Sequence, residues 1–322
     1  MRDQIETYIL NELKKLSQVK SETLEQNIEH EIFMSFKTKK FRKYHANDAL
    51  LKSIQDAINY NVSNNYPINI TFLQGCYKLW RLKESPKADW AELFALMHYA
   101  TWVKPILSIY KPGVIFDFYV DDLIMERISN YKREELLSYQ HSFQKVMDFI
   151  SAYCPNNLSI KITTVSSRFS DEADFWKKLS IAIEKQENIK LDESITSMID
   201  LNYRPSHNET LDNFQREKLM QIHNAHSGME ERLKYREEKG KILAMPHHYN
   251  GSDTRIFVGS TKDSIVKYWI GVGALKIKGG TFLPTVLSPK QLFNAKFSTQ
   301  KVEIRGLEAK NFKIIRVLKE LD

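Results

Sequence analysis

The chain of 322 residues has only two cysteines, Cys76 and Cys154. Two thiols make no disulfide framework, so the reading is of a cytoplasmic protein with free thiols. Long apolar runs are also missing. The most apolar stretch, 93–110, is broken by His98, Thr101, Lys104 and Pro105. It is too polar for a bilayer span and suits a buried helix, so no membrane partner is expected. The opening MRDQIETYILNELKKLSQ alternates charged and apolar residues on a helical period and does not read as a secretory signal. Internal repeats and low-complexity linkers are absent. So are zinc-finger spacings and RNP-like strands, and a nucleic-acid partner is not expected. The glycines of 271–280 fit neither Gly-x-Gly-x-x-Gly nor a P-loop, and read as strand bends or a hairpin.

What remains is an ordinary globular composition, with 42% hydrophobic and 27% charged residues. Net charge is +7, which suits an anionic partner such as a phosphorylated small molecule. The densest basic cluster is FKTKKFRK, 36–43, with five cations in eight positions. It reads as a solvated helix end, or, in a second reading, as the contact of a basic polyanion-binding protein.

Residues 1–66 read as a helical N-terminal segment, with Ile5, Ile9, Leu10 and Leu13 on one face and Leu50, Leu51, Ile54 and Ile58 on another. The stretch 67–73, PINITFL, predicts a strand. SPKADWAELFALMHYATW opens a long helix, with Ser85 as candidate cap, Pro86 in the first turn and Asp89 and Glu92 at the positive end. Strand 114–120, a helix from about 132 to 151 and strand 158–164 follow. This alternation predicts a parallel α/β sheet. A polar helical insertion is expected at about 170–240, with an inserted lid as one reading. Its His223 and His226 share a helix face at i, i+3, with solvent the favoured context. The C-terminal part is strand-rich, with Gly279-Gly280 as a hairpin turn. The expected architecture is α/β: a Rossmann-like mixed sheet flanked by helices, spanning 67–322 and completed by C-terminal strands.

Ligands of α/β sheets gather outside the carboxyl ends of the strands. Three such ends are polar here: LQGCYKLWR after the first strand, DFYVDD at the second, and TTVSSRF with Arg168 at the third. Strand alternation puts Asp117, Tyr119 and Asp121 on one face. Asp117 reads as a structural acid with a cationic partner. Asp121 reads as a general base, and Asp122 as the cap of the segment that follows. Alternatively Asp121 and Asp122 bind magnesium or manganese in a glycosyl- or nucleotidyl-transferase. His248, in the loop MPHHYNGSDTRIF, is a further candidate. Arg255 and Lys262 sit among hydroxyls in SDTRIFVGSTK, a combination suited to phosphate or carboxylate. His207-Asn208-Glu209 has the spacing of a non-haem iron pair, but on a helix-start loop.

Three segments together, SPKADWAELFALMHY, PILSIYKPGVIFDFYVDD and EELLSYQHSFQKVMDF, resemble the isonitrile synthase family, the pyoverdine/dityrosine-biosynthesis-like proteins. Coverage is about 67–165, with an echo at TRIFVGS. Asp121 matches the family aspartate and Arg255 the arginine of the later strand. Val120 stands where the family has serine, and Asp122 where it has glycine. No histidine follows the later strand, and no late Thr-Pro-Trp-His element occurs.

The resemblance implies a Rossmann-like fold and an enzyme joining an amino acid amine to the ketone of a pentulose phosphate such as ribulose 5-phosphate. It also implies a downstream oxygenase as pathway partner, and no metal or organic cofactor. Asp121, Lys78 and His248 are then the expected catalytic groups. Arg81, Arg255, Lys262 and Arg168 are expected to bind substrate charge, and Tyr77, Trp80 and Trp102 to wall the amino acid pocket.

Overall fold

The computed structural model describes residues 1–19, 27–37, 48–75, 87–186, 190–206, 209–229, 257–258, 272–287, 297–305 and 312–320. Its centre is a four-stranded parallel sheet made of β1 (Ile68–Gly75), β2 (Val114–Asp121), β3 (Leu158–Thr164) and β4 (Phe257–Val258), in the order β3-β2-β1-β4. That is the order of a Rossmann-type half-sheet, with the chain reversing direction of growth between β1 and β4. The α/β reading therefore holds. Among the described C-terminal strands, β4, from the segment TRIFVGS, is the one that joins this sheet. The later strands β5 (Val272–Lys278), β6 (Thr281–Leu287), β7 (Phe297–Glu303) and β8 (Ile314–Glu320) build a second sheet, in the order β6-β5-β8-β7. The expectation of one sheet completed at the C-terminus is thus met by a single short strand. In the second sheet β5 and β8 run parallel and the outer pairs antiparallel.

The two faces of the first sheet differ in chemistry. Phe116, Phe118 and Val120 of β2 look toward α4 (Trp90–Ile109) and α6 (Arg133–Ser151), the crossover helices. Phe72 stacks on Phe118 at 4.7 Å, and Phe118 meets Phe143 of α6 edge-on at 5.0 Å. Phe72 also packs on Tyr99 of α4 at 4.5 Å. The opposite face carries Asn69, Thr71, Asp117, Tyr119, Asp121 and Lys161. In register, Thr71 lies beside Asp117 and Asp117 beside Lys161. Asp117 is fully buried and its Oδ2 is 3.6 Å from Lys161 Nζ, the partnered acid that the strand position predicts.

Helix α4 is buried nearly all round, as its apolar sequence requires. It starts at Trp90, four residues later than a Ser85 cap implies. The reason is local: the Asp89 carboxylate accepts the Ala91 N–H at 2.7 Å and Glu92 accepts the Asp89 N–H at 2.7 Å, a reciprocal cap. Ser85 and Pro86 lie outside the described residues. The first turn of α4 carries the second sheet, with Trp90 Nε1 donating to the Ile314 carbonyl at 2.9 Å.

On its other side α4 meets the N-terminal helices α1 (Arg2–Ser17) and α2 (Ile28–Lys37). A third N-terminal helix, α3 (Asp48–Ser63), packs against α2 and β1. Trp102 packs edge-on against Phe36 at 5.0 Å and donates to the Ser35 carbonyl, only 2% exposed. It is core between helices, not the wall of a pocket at the sheet edge. Phe36 is likewise core. Of the basic cluster, only it and Lys37 at the end of α2 are described.

The Gly279-Gly280 hairpin forms as expected, with φ of 54° and 74°, between β5 and β6. The insertion resolves into α7 (Glu172–Glu184), α8 (Glu193–Asn202) and α9 (Asn213–Ser227). Among the described residues no helix is long and apolar enough to cross a membrane.

Candidate functional site at the carboxyl edge of the parallel sheet

Parallel strands end together, so Gly75, Asp121 and Thr164 share one edge of the sheet: Gly75 pairs with Asp121 and Val120 with Thr164. Asp121 closes β2 with its side chain 19% exposed. It lies on the polar face, away from α4 and α6.

Opposite it stands His226, on the last turn of α9. His226 Nε2 is 3.8 Å from Asp121 Oδ1, and the imidazole is only 1% exposed. Its ring meets Phe175 of α7 edge-on at 6.0 Å, and Phe175 is itself fully buried. The solvent-facing reading of this histidine is therefore corrected. Nothing in the polar sequence of α9 marks it, because its burial comes from α7 and the sheet edge rather than from an apolar stripe on α9. His223, one turn earlier, is half-buried.

Asp122 does not cap the segment after it. Leu123 occupies the N-cap position of the short helix α5 (Ile124–Ile128), with no side-chain cap. The Asp122 carboxylate crosses instead to the exit of β3, where Oδ1 accepts the Ser166 N–H at 3.1 Å and Oδ2 accepts the Ser166 hydroxyl. The Ser166 hydroxyl also lies 3.2 Å from Thr164 Oγ1, and Ser167 Oγ donates to the Thr164 carbonyl at 2.6 Å. Ser166 begins the 3-10 turn Ser166–Arg168. Arg168 is thus fixed to the same edge as Asp121, half-buried, with its Nε shut from solvent.

Each Asp122 oxygen thus accepts a hydrogen bond from Ser166. Among the described residues, no group of three or more His, Cys, Asp or Glu is arranged to hold a metal ion.

Of the sequence-expected site residues, the structure brings Asp121, Asp122 and Arg168 to one edge. Tyr77, Lys78, Trp80, Arg81, His248, Arg255 and Lys262 lie outside the described residues, as do His207 and Asn208. Strand order reverses at β1, and the crevice outside the carboxyl ends at such a point is the usual ligand site of these sheets.

No protein-family model matches the chain, and no curated protein matches it in sequence. Among solved structures, the PvcA protein from Pseudomonas aeruginosa shares the fold. The TM-score is 0.61 over 91% of this chain and 100% of that one, at 12% identity. Likeness at that identity establishes a common fold.

Proposed function

We propose that this protein is a biosynthetic enzyme of the isonitrile synthase type, condensing an amino acid with a pentulose phosphate in the cytoplasm. Two observations support the reading together: the order of the three sequence segments centred on IYKPGVIFDFYVDD, and a fold shared with PvcA over nearly the whole chain. The observation that carries it is Asp121, the residue matching the family aspartate, at the carboxyl edge of the sheet and facing a buried histidine.

Asp121 is assigned the role of base for the successive proton removals that the condensation requires, beginning at the amino acid amine. Arg168 on the adjoining turn is assigned to substrate charge. Lys78, Arg81, Arg255 and Lys262 complete the proposed phosphate clamp, with Tyr77 and Trp80 at the amino acid side chain and His248 as a further proton donor. The metal-dependent transferase reading has less support, because Asp122 is committed to Ser166. A downstream oxygenase is the partner this reading implies.

The test is incubation of the purified protein with ribulose 5-phosphate and each amino acid, with mass-spectrometric detection of an isonitrile. Product from one amino acid, lost in D121N, is the expected result. No isonitrile from any amino acid overturns the reading. Thermal stabilisation needing both manganese and a nucleotide sugar supports the transferase in its place.

A further inference from the structure

Helix α9 delivers a titratable group to the sheet edge, where its polar sequence predicts solvent. His226 is closed off from water, with the edge of Phe175 on one side and the Asp121 carboxylate 3.8 Å from Nε2 on the other. The charged groups of the neighbouring elements have other partners. On α5, Glu126 pairs with Arg133 at 3.1 Å and Arg127 lies 5.1 Å over the Trp176 ring. On α7, Glu172 pairs with Arg133 and Lys178 with Asp174 at 3.0 Å. On α8, Asp200 pairs with Arg216 of α9 at 2.9 Å. Asp121 is a carboxylate that faces this imidazole, while Arg168 lies half-buried on the same sheet edge and His223 half-buried one turn earlier on α9.

We propose that Asp121 and His226 form a two-member proton relay, in which Asp121 meets the substrate and His226 empties it. The proposal rests on the reading of this edge as the reactive one. A carboxylate that has taken one proton cannot act as base again until it is discharged. In the relay, Asp121 accepts a proton from a substrate N–H or C–H bond, whose electron pair stays on the substrate. The resulting carboxyl O–H then gives that proton to Nε2 of His226, which restores the carboxylate and leaves an imidazolium. No electrons leave the substrate and no oxidant is needed.

The direction of transfer follows from ordinary acidities. An imidazole is ordinarily the stronger base of the two, so the proton passes from the carboxyl group to the ring. The position of His226 in the last turn of α9 adds to this, because a helix C-terminus favours a cation. The 3.8 Å separation is about 1 Å longer than a charge-assisted hydrogen bond. Closure of the pair on substrate binding, or one bridging water, completes the contact.

The experiment is a titration of the full-length protein labelled at histidine Cε1, followed by NMR, with the His226 signal assigned by its loss in H226Q and again in H226N. D121N is nearly isosteric at a strand end, and thermal melting checks that it is folded. It is expected to lower the His226 pKa by about one unit or more, since it removes a facing negative charge. In turnover assays H226Q is expected to lower kcat more than tenfold with little change in KM, and to flatten the acid limb of the pH profile.

An unchanged His226 pKa in folded D121N overturns the relay, even where the wild type makes isonitrile. A shifted pKa in a protein that makes no isonitrile supports the coupling of the pair and overturns only the assigned reaction. An H226Q enzyme with undiminished kcat overturns the relay as well.

Discussion

Asp122 and Ser166, 44 positions apart, are joined twice: one carboxylate oxygen takes the backbone N–H and the other takes the hydroxyl. This double link fastens the exit of β2 to the exit of β3. It holds the turn bearing Arg168 beside the edge that Asp121 closes. Asp122 is 8% exposed, so water is a poor substitute for either contact.

Replacing Asp122 with alanine is therefore expected to cost about 2–4 kcal/mol, the worth of two hydrogen bonds to a charged, mostly buried acceptor. Ser166→Ala removes only the hydroxyl and is expected to cost about 1 kcal/mol. Urea denaturation measures both. Equal losses in the two variants would show that the link to the Ser166 N–H carries nothing.

Arg204, just beyond α8, reaches both oxygens of Glu135 on α6, at 2.6 and 2.8 Å, and the Lys132 N–H donates to the same carboxylate at 3.0 Å. Partial burial works to raise the Glu135 pKa. The Arg204 hydrogen bond, the Lys132 N–H and the charges of both cations outweigh it, and the result lies below the ordinary value of 4.5. A depressed carboxylate contributes stability that is present above its unfolded pKa and lost as pH falls through its folded one. Arg204→Ala is expected to cost about 1 kcal/mol at neutral pH, given that both side chains are partly exposed. The variant should also lose less stability than the wild type between about pH 5 and 3. Denaturant midpoints across that range check the difference, and parallel curves would refute it.

Gly273 on β5 lies against the start of α4. A Cβ there would stand 2.3 Å from the Ala91 nitrogen and 2.4 Å from the Trp90 carbonyl carbon. Those are backbone atoms in a capped helix turn and cannot rotate aside. Gly273→Ala is expected to destabilise by about 2–3 kcal/mol and to alter Trp90 fluorescence. Gly279→Ala serves as comparison. Its Cβ meets nothing within 4 Å, so only the positive φ of 54° is strained, at about 1 kcal/mol. A milder effect at Gly273 than at Gly279 would contradict the close approach of the sheet to the helix.

Burial pushes the Cys154 thiol up to about 12. The native thiol stays protonated at pH 8 and should resist iodoacetamide, while the unfolded chain reacts. Peptide mass spectrometry that follows Cys154 alone reads this directly, and rapid native labelling would refute it. The sign for stability is separate. A thiol raised in the folded state keeps its proton where the unfolded one loses it, so stability falls as pH climbs from about 9 toward 12.

Legibility in the sequence followed the range of the interactions. Strand β3 and helix α6 begin and end within a residue of expectation, because alternation, helical period and turn residues are properties of neighbours. The start of α4 moved because the Asp89–Glu92 cap outcompetes an isolated serine upstream. Asp122 was legible as a hydrogen-bond acceptor but not as a partner of Ser166, since the contact joins two different strand exits. His226 was legible as sharing a helix face with His223, but not as buried or as facing Asp121. Its helix is polar along its length, and the group that gives the histidine meaning lies far away in the chain.

The sequence alone determined the parallel βαβ core, the Gly279-Gly280 hairpin, the buried character of α4 and the place of Asp121 at a strand end. Each of these is set by residue type and spacing over a few neighbours. Only the tertiary structure decided that the later strands form their own sheet, that Trp102 is core, that Asp122 ties two loops and that His226 faces Asp121. Those outcomes depend on which surfaces meet when helices and sheets pack, a choice made by shape and burial across the whole fold.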